Sequence, residues 1–193
     1  WPATSAGAWL SGQPVSSIGF DPWLHTKAEI GAIAKALRPD QRLVPTANLV
    51  DRIWNSRPAA PEAPVRLHPA AFAGETSEAK FARLRERLAA KDAQAMVMTL
   101  PESLSWLLNI RGQDVAHNPV GQGFAILDFA RHTEGRLQLF AAPEKFASLG
   151  PDPRITLHAP DHCATALAQL QGPVLVDPAS APLAVFEELS TEI

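Results

Sequence analysis

Apolar and polar positions along the chain follow two rhythms, one repeating about every 3.6 residues and one running as short unbroken apolar blocks. Before residue 57, Ser17-Ile18-Gly19-Phe20 and Arg42-Leu43-Val44-Pro45 read as short strands. Between them Ile30, Ile33, Ala34 and Leu37 recur on one face, which predicts a helix over about 27–38 that Pro39 stops. Thr26 and Glu29 have the spacing of a capping box for it, and Asp21-Pro22 starts a turn under which Trp23 is expected to pack. Residues 48–54 read as a short amphipathic helix that buries Leu49, Val50, Ile53 and Trp54. Two strands around one helix make half a layer with an open flank, so residues 1–57 are expected to be the end of a domain whose first strands are missing.

Prolines then cluster at Pro58, Pro61 and Pro64. Each fixes its own φ and biases the residue before it toward extended backbone, so 58–65 reads as a semi-rigid linker and a domain boundary. Residues 66–193 carry the fuller pattern. Phe81, Leu84 and Leu88 predict a helix over about 77–91, with Thr76 or Ser77 as its N-cap. The block 95–100 suits a buried strand, and Pro101 opens a short helix expected to be capped through Thr99 and Glu102 and stopped at Gly112. Strands follow at 124–129 and 136–140, with a turn around Thr133-Glu134-Gly135. A strand at 154–158, a helix at 161–171, a strand at 174–176 and a last helix at 181–192 complete the pattern. Strands alternating with helices imply an α/β fold: a three-layer α/β/α sandwich on a mixed sheet, preceded by part of a similar domain.

Composition narrows the function classes. With 46% hydrophobic and 19% charged residues in a chain of 193, a packed core is expected and a disordered tail is excluded. A net charge of −3 without basic runs argues against nucleic acid as a partner. No apolar block is long enough to span a bilayer, so no membrane partner is expected. The single cysteine, Cys163, cannot form an intrachain disulfide and fits a cytoplasmic protein. The chain opens on Trp1-Pro2 without an initiating Met and is expected to be a piece of a longer protein.

The chemistry-bearing residues exclude most familiar sites. No serine-hydrolase elbow, P-loop or dinucleotide loop occurs, and Gly121-Gln122-Gly123 leads into a strand where a phosphate loop would lead into a helix. His162 and Cys163 are neighbours and point apart on a helix, so they make a poor metal pair, and Cys163 is expected to be a small core residue. His25, His68, His132 and His158 stand alone. Ser103 and Ser105 have no activating base nearby in sequence. The richest segment runs from Trp106 to Val120, where a helix end meets a strand through a polar loop. There Arg111 offers a planar fork of donors, His117 an imidazole that can donate or accept, and Asn109 and Asn118 side chains that can bond backbone amides. Arg111 is spaced either to pair with Asp114 and shape the loop or to face a substrate or partner.

Three segments, in order, resemble signposts of the long aminopeptidases P, the Xaa-Pro aminopeptidases. They are Ile18-Gly19-Phe20-Asp21-Pro22-Trp23, then Asn48-Leu49-Val50-Asp51-Arg52-Ile53-Trp54 with Arg57-Pro58, then Ser105-Trp106-Leu107-Leu108-Asn109-Ile110-Arg111-Gly112-Gln113-Asp114 followed by Asn118-Pro119-Val120. The resemblance implies a creatinase/prolidase-type front region. Residues 1–57 would be the C-terminal part of the first such domain and 66–193 the second, ahead of a C-terminal catalytic domain absent from the chain. In that family the catalytic domain holds two divalent metal ions, commonly manganese, that activate water against the bond before proline. None of its metal-binding motifs occurs here, so no catalytic or metal-binding residue is carried over and the fragment alone is expected to be inactive.

The expected partners are the parent's own catalytic domain and proline-containing peptides, with a homodimer as the assembly. The expected role is shaping substrate access and oligomerisation, with Arg111, His117 and Asn118 facing the catalytic domain or the substrate. The alternative is a stand-alone binding or regulatory module with the same fold. A creatinase- or dipeptidase-like relative fits less well, since parts of two front domains are present.

Overall fold

The computed structural model describes residues 3–130 and 134–189. His132 and Thr133, and the end of the last expected helix, lie outside them. The chain divides into two compact units, one of residues 1–59 with 178–187, the other of residues 60–177 with 188–193.

The first unit opens with α1 (Ala6–Ser11), whose Ser5 Oγ accepts from the Ala8 amide at 3.3 Å. Strand β1 (Ser17–Phe20), helix α2 (Lys27–Ala36) and strand β2 (Arg42–Pro45) follow, and the two strands pair in parallel with Phe20 opposite Pro45. The capping box forms as expected: the Glu29 amide donates to Thr26 Oγ1 at 3.1 Å and the Thr26 amide to Glu29 Oε2 at 2.9 Å. Helices α1 and α2 pack so closely that a Cβ on Gly7 would stand 2.7 Å from Ala36 Cβ. Gln41, which sequence reasoning passed over, is buried and staples the unit: its amide nitrogen donates to the carbonyls of Leu10 and Val15 at 3.0 and 3.1 Å.

Two expectations for this unit need correction. Helix α3 (Leu49–Ile53) forms, yet Leu49, Val50, Ile53 and Trp54 are all exposed, because within the described residues no element covers their face. Trp23 is also exposed; its backbone amide, not its ring, closes the turn by donating to Asp21 Oδ1 at 2.9 Å.

The second unit begins with β3 (Arg66–Leu67) and α4 (Ala70–Ala73), neither expected from the pattern, and continues with α5 (Ser77–Ala89), capped by Thr76. Strand β4 (Ala95–Met98), helix α6 (Pro101–Leu108), strand β5 (Ile110–Arg111), strand β6 (Phe124–Asp128) and strand β7 (Arg136–Phe140) come next. A 3-10 helix at Pro143–Leu149, strand β8 (Ile155–His158), helix α7 (Cys163–Ala168) and strand β9 (Val174–Leu175) complete it. Five strands form one mixed sheet in the order β8-β7-β6-β4-β9, parallel at its two outer pairings and antiparallel between. Ala125, Ile126 and Leu127 are fully buried in succession, as a strand covered on both faces must be. Phe81, Leu104, Leu107 and Leu108 from α5 and α6 share one core with Leu127, Leu137 and Leu139 from the sheet. The α/β fold on a mixed sheet is as the sequence predicts.

Three local expectations differ. Helix α6 has Leu100 at its N-cap with no side-chain bond, so Thr99 and Glu102 do not make a capping box. It ends at Asn109, which takes the left-handed conformation (φ 50°), not at Gly112. Helix α8 (Leu183–Glu188) belongs mostly to the first unit, although residues 66–193 read as one domain in the sequence. There the Leu183 amide donates to the His25 carbonyl at 2.8 Å, the Ala184 amide to that of Pro22 at 3.0 Å, and Lys27 Nζ lies 4.3 Å from the Phe186 ring centre.

Candidate functional site

The loop from Asn109 to Gly123 is built on a buried lysine at each end. At the end of α6, the Asn109 side chain is almost buried, and its Oδ1 accepts from Lys80 Nζ at 2.5 Å while its Nδ2 donates to the Glu75 carbonyl at 2.8 Å. Lys80, only 2% exposed, also donates to the Trp106 carbonyl at 2.7 Å and lies 4.8 Å from the Trp106 ring centre. An ammonium at a helix C-terminus meets the negative end of the helix dipole, and here it shares the Trp106 carbonyl with the Asn109 amide, which donates to it at 3.3 Å. Burial pulls the Lys80 pKa below its usual range, opposed by Glu75 and reinforced by Arg83 and Arg111. Arg83 reaches the same indole, 5.4 Å from its centre, so the part-exposed Trp106 ring has two cations for neighbours.

At the far end of the loop, Asp114 Oδ2 stands 2.5 Å from Lys145 Nζ, with the two side chains 0% and 4% exposed. The Gln122 amide donates to the same oxygen at 2.6 Å. Lys145 donates further to the carbonyls of Pro61 and Gln122, at 3.0 and 3.2 Å, so one ammonium ties the loop to the proline segment. Asp114 therefore pairs with Lys145, and the local Arg111–Asp114 pair left open by the sequence does not form. Among the described residues, Asp114 Oδ1 is buried without a hydrogen-bond partner. Gly112 is required where it stands: a Cβ would fall 2.3 Å from the Val120 carbonyl oxygen.

The three candidate residues are placed separately. Arg111 is half-buried on β5 opposite Arg66, and its Nη1 donates to the Ile110 carbonyl at 2.9 Å. His117 is exposed at the tip of the turn that Val115 and Asn118 close, with φ 62°. Asn118 Nδ2 donates to Glu102 Oε1 at 3.2 Å, which leans the turn on α6. Ser105 is buried, and its Oγ accepts from the Gly121 amide at 3.4 Å, a structural use. Sequence reasoning missed Lys80 and Lys145, and no local signal marks either as buried, since Glu78 and Arg83 flank the first and Glu144 precedes the second.

Elsewhere, Cys163 is buried and its thiol is pushed up to about 11, by burial first and by Glu188 second. His158 and His162 meet edge to face at 6.4 Å, and burial, then His162, lowers the His158 pKa. A cleft of about 880 Å³ between α5 and the β7 and β8 approaches is lined by Phe81, Arg85, Phe129, Asp152 and Arg154, and holds none of the three candidates. Among the described residues, no group of three or more His, Cys, Asp or Glu side chains is placed to hold a metal ion. No described helix is long and apolar enough to cross a membrane.

A mixed sheet between helices, with an arginine- and asparagine-bearing loop at the end of α6, defines the class: an α/β domain that holds a polar loop on a rigid core. Residues 56–193 match the family model for the creatinase/prolidase N-terminal domain, and the chain belongs to that family. It is similar to Aminopeptidase P1 of Arabidopsis thaliana, at 39% identity over 114 residues, covering 58% of this chain and 18% of that protein. It is also similar to a probable Xaa-Pro aminopeptidase P of Neosartorya fischeri, at 36% identity over 143 residues, covering 70% and 21%. The chain thus spans about a fifth of the length of the curated relatives it matches. Its fold is that of part of an X-prolyl aminopeptidase from Caenorhabditis elegans, described as a cytosolic enzyme with a di-nuclear active site. The TM-score is 0.79 at 24% identity, covering 95% of this chain and 32% of that one.

Proposed function

We propose that the chain is the non-catalytic front region of a Xaa-Pro aminopeptidase and that it shapes access to a catalytic domain carried by the rest of the parent. The observation that carries this reading is the coverage. The sequence is 36% identical to a probable Xaa-Pro aminopeptidase over 143 residues, which make up only 21% of that protein. The parent would release the N-terminal residue ahead of proline, in the cytoplasm, as a homodimer.

Two divalent ions, manganese by family resemblance, would supply the activated water in that parent. The described residues do not fit them, since no cluster of metal-binding side chains occurs among them. No step of the reaction is routed through this chain. What its residues contribute is position: Lys80 and Lys145 hold both ends of the loop that presents Arg111, His117 and Asn118 toward the catalytic domain or the peptide.

The test compares the 193-residue chain with its full-length parent, each with manganese and a Xaa-Pro peptide. Cleavage by the parent alone is expected. Cleavage by the chain would refute its non-catalytic role, and inactivity of the parent would refute the aminopeptidase reading.

A further inference from the structure

Strands β3 and β5 set two arginines against each other. They pair antiparallel with Arg66 opposite Arg111, so both side chains leave the same face of the ribbon, with Cβ atoms about 5 Å apart. Like charges placed directly across two strands repel. Among the described residues, no carboxylate comes within ion-pairing distance of either guanidinium. Arg66 is exposed. Arg111 is half-buried and spends one donor of its fork, on the Ile110 carbonyl at 2.9 Å.

The neighbourhood adds positive charge instead of cancelling it. Burial is the first cause of the lowered Lys80 pKa; Glu75 opposes it, and Arg83 and Arg111 reinforce it, so the Arg111 charge is felt at the buried end of α6. Lys80 itself bonds the uncharged Trp106 and Asn109 oxygens. Glu75 Oε2 is taken by Arg83 at 2.7 Å. Arg66, Lys80, Arg83 and Arg111 thus gather near an acid already engaged, in a chain whose net charge is −3. A half-buried guanidinium with donors unspent, opposed by a second one, is arranged to receive an anion. Its planar fork matches the two oxygens of a carboxylate.

We propose that Arg66 and Arg111 form a binding pair for the C-terminal carboxylate of a short peptide. The inference rests on the aminopeptidase reading above and deepens it by naming the group of the substrate that this region holds. The ribbon that carries the pair is fixed at both ends: the Val65 amide donates to the Lys145 carbonyl at 2.9 Å and the His68 amide to the Asn109 carbonyl at 2.7 Å. The backbones of the two arginines are therefore positioned before a ligand arrives, which lowers the cost of ordering them around it. A carboxylate between the guanidiniums offsets their repulsion and accepts charge-assisted hydrogen bonds from both.

The experiment titrates the 193-residue chain with an Xaa-Pro tripeptide bearing a free C-terminal carboxylate, with the C-terminal amide of the same tripeptide, and with inorganic phosphate. Binding is followed by the NMR signals of the arginine side chains. The acid is expected to shift the Arg66 and Arg111 signals and to bind about tenfold more tightly than the amide. Arg66→Gln is expected to abolish that preference and to leave the melting temperature unchanged or raised, since it removes a like-charge opposition. Equal binding of acid and amide overturns the proposal. So does an Arg66→Gln variant that melts lower than the unsubstituted chain, because the arginine then serves the fold. Phosphate bound as tightly as the acid also overturns it and leaves a general anion site. Hydrolysis by the full-length parent separates this proposal from the reading beneath it. A parent that cleaves acid and amide with the same KM refutes the carboxylate site alone. A parent that does not cleave, beside a chain that binds the acid through Arg66, refutes the aminopeptidase reading alone.

Discussion

Asp114 and Lys145 meet at 2.5 Å with both side chains out of solvent, and through them the loop that presents His117 is fastened to the proline segment at Pro61. The pair sets a shape more than it adds stability. Desolvating two charges offsets much of their attraction, yet removing one partner leaves the other buried and alone. Lys145→Met is therefore expected to destabilise the chain by roughly 3–5 kcal/mol. The double variant Asp114→Asn/Lys145→Met should recover most of that loss. Denaturant unfolding measures both, and a double variant no more stable than Lys145→Met would disprove the account.

Asn109 takes a left-handed conformation and holds Lys80, so its two roles separate by substitution. Asn109→Gly relieves the backbone but removes the lysine's acceptor, while Asn109→Ala loses on both counts. Both variants should be destabilised, with Asn109→Ala the worse by about 1 kcal/mol. Thermal melting in the order native, Gly, Ala is the expected result.

His117 is exposed with a positive φ, which strains a side-chain-bearing residue. His117→Gly should leave stability unchanged or raise it by up to about 1 kcal/mol. If the His117 side chain faces the peptide or the catalytic domain, the same variant raises the KM of the parent. An unchanged KM removes His117 from the proposed surface.

The Arg154 guanidinium grips Asp152 through two bonds, at 2.5 and 3.0 Å, and reaches Glu78 at 2.8 Å. Its side-chain bonds hold the Asp152 carboxyl below the usual carboxylate range; the Glu78 carboxyl is also low, first through its own backbone amide, then Thr76 and Arg154. Both folded pKa values lie below the unfolded ones. The stability they contribute is thus fully present above the ordinary carboxylate range and is lost as pH falls through and below it. Asp152→Asn should flatten the acid limb of a stability–pH curve, modestly, since Glu78 is largely exposed.

Cys163 is buried with its thiol pushed up to about 11, so at pH 8 almost none of it is thiolate in the folded chain. Alkylation by iodoacetamide should proceed only at the rate of unfolding and accelerate with denaturant. Rapid labelling of the native chain would show that the α7 region opens locally.

Features that depend on near neighbours along the chain are legible in the amino-acid sequence. The Thr26–Glu29 box, the apolar run through Met96 and Val97, and the face of Phe81, Leu84 and Leu88 are set by spacings of a few positions. The ordered segments around Asp21-Pro22-Trp23, Asn48–Trp54 and Trp106–Asp114 also carry the family resemblance. Arg111, His117 and Asn118 stand out as a polar loop, but the two lysines that position it do not. Nothing local distinguishes Lys80 from an ordinary exposed lysine on an amphipathic helix.

Period and capping chemistry, written in the chain itself, thus determined the helices, the strands and the mixed α/β class. Tertiary structure alone decided that Asp114 takes Lys145 and not Arg111, that Asn109 and not Gly112 ends α6, that residues 178–187 return to the first unit, and that the apolar stripe of α3 stays bare. The reason is that an element answers to the propensities of adjacent residues, whereas the partner of a buried charge and the cover of an apolar face depend on which distant segments the fold brings together.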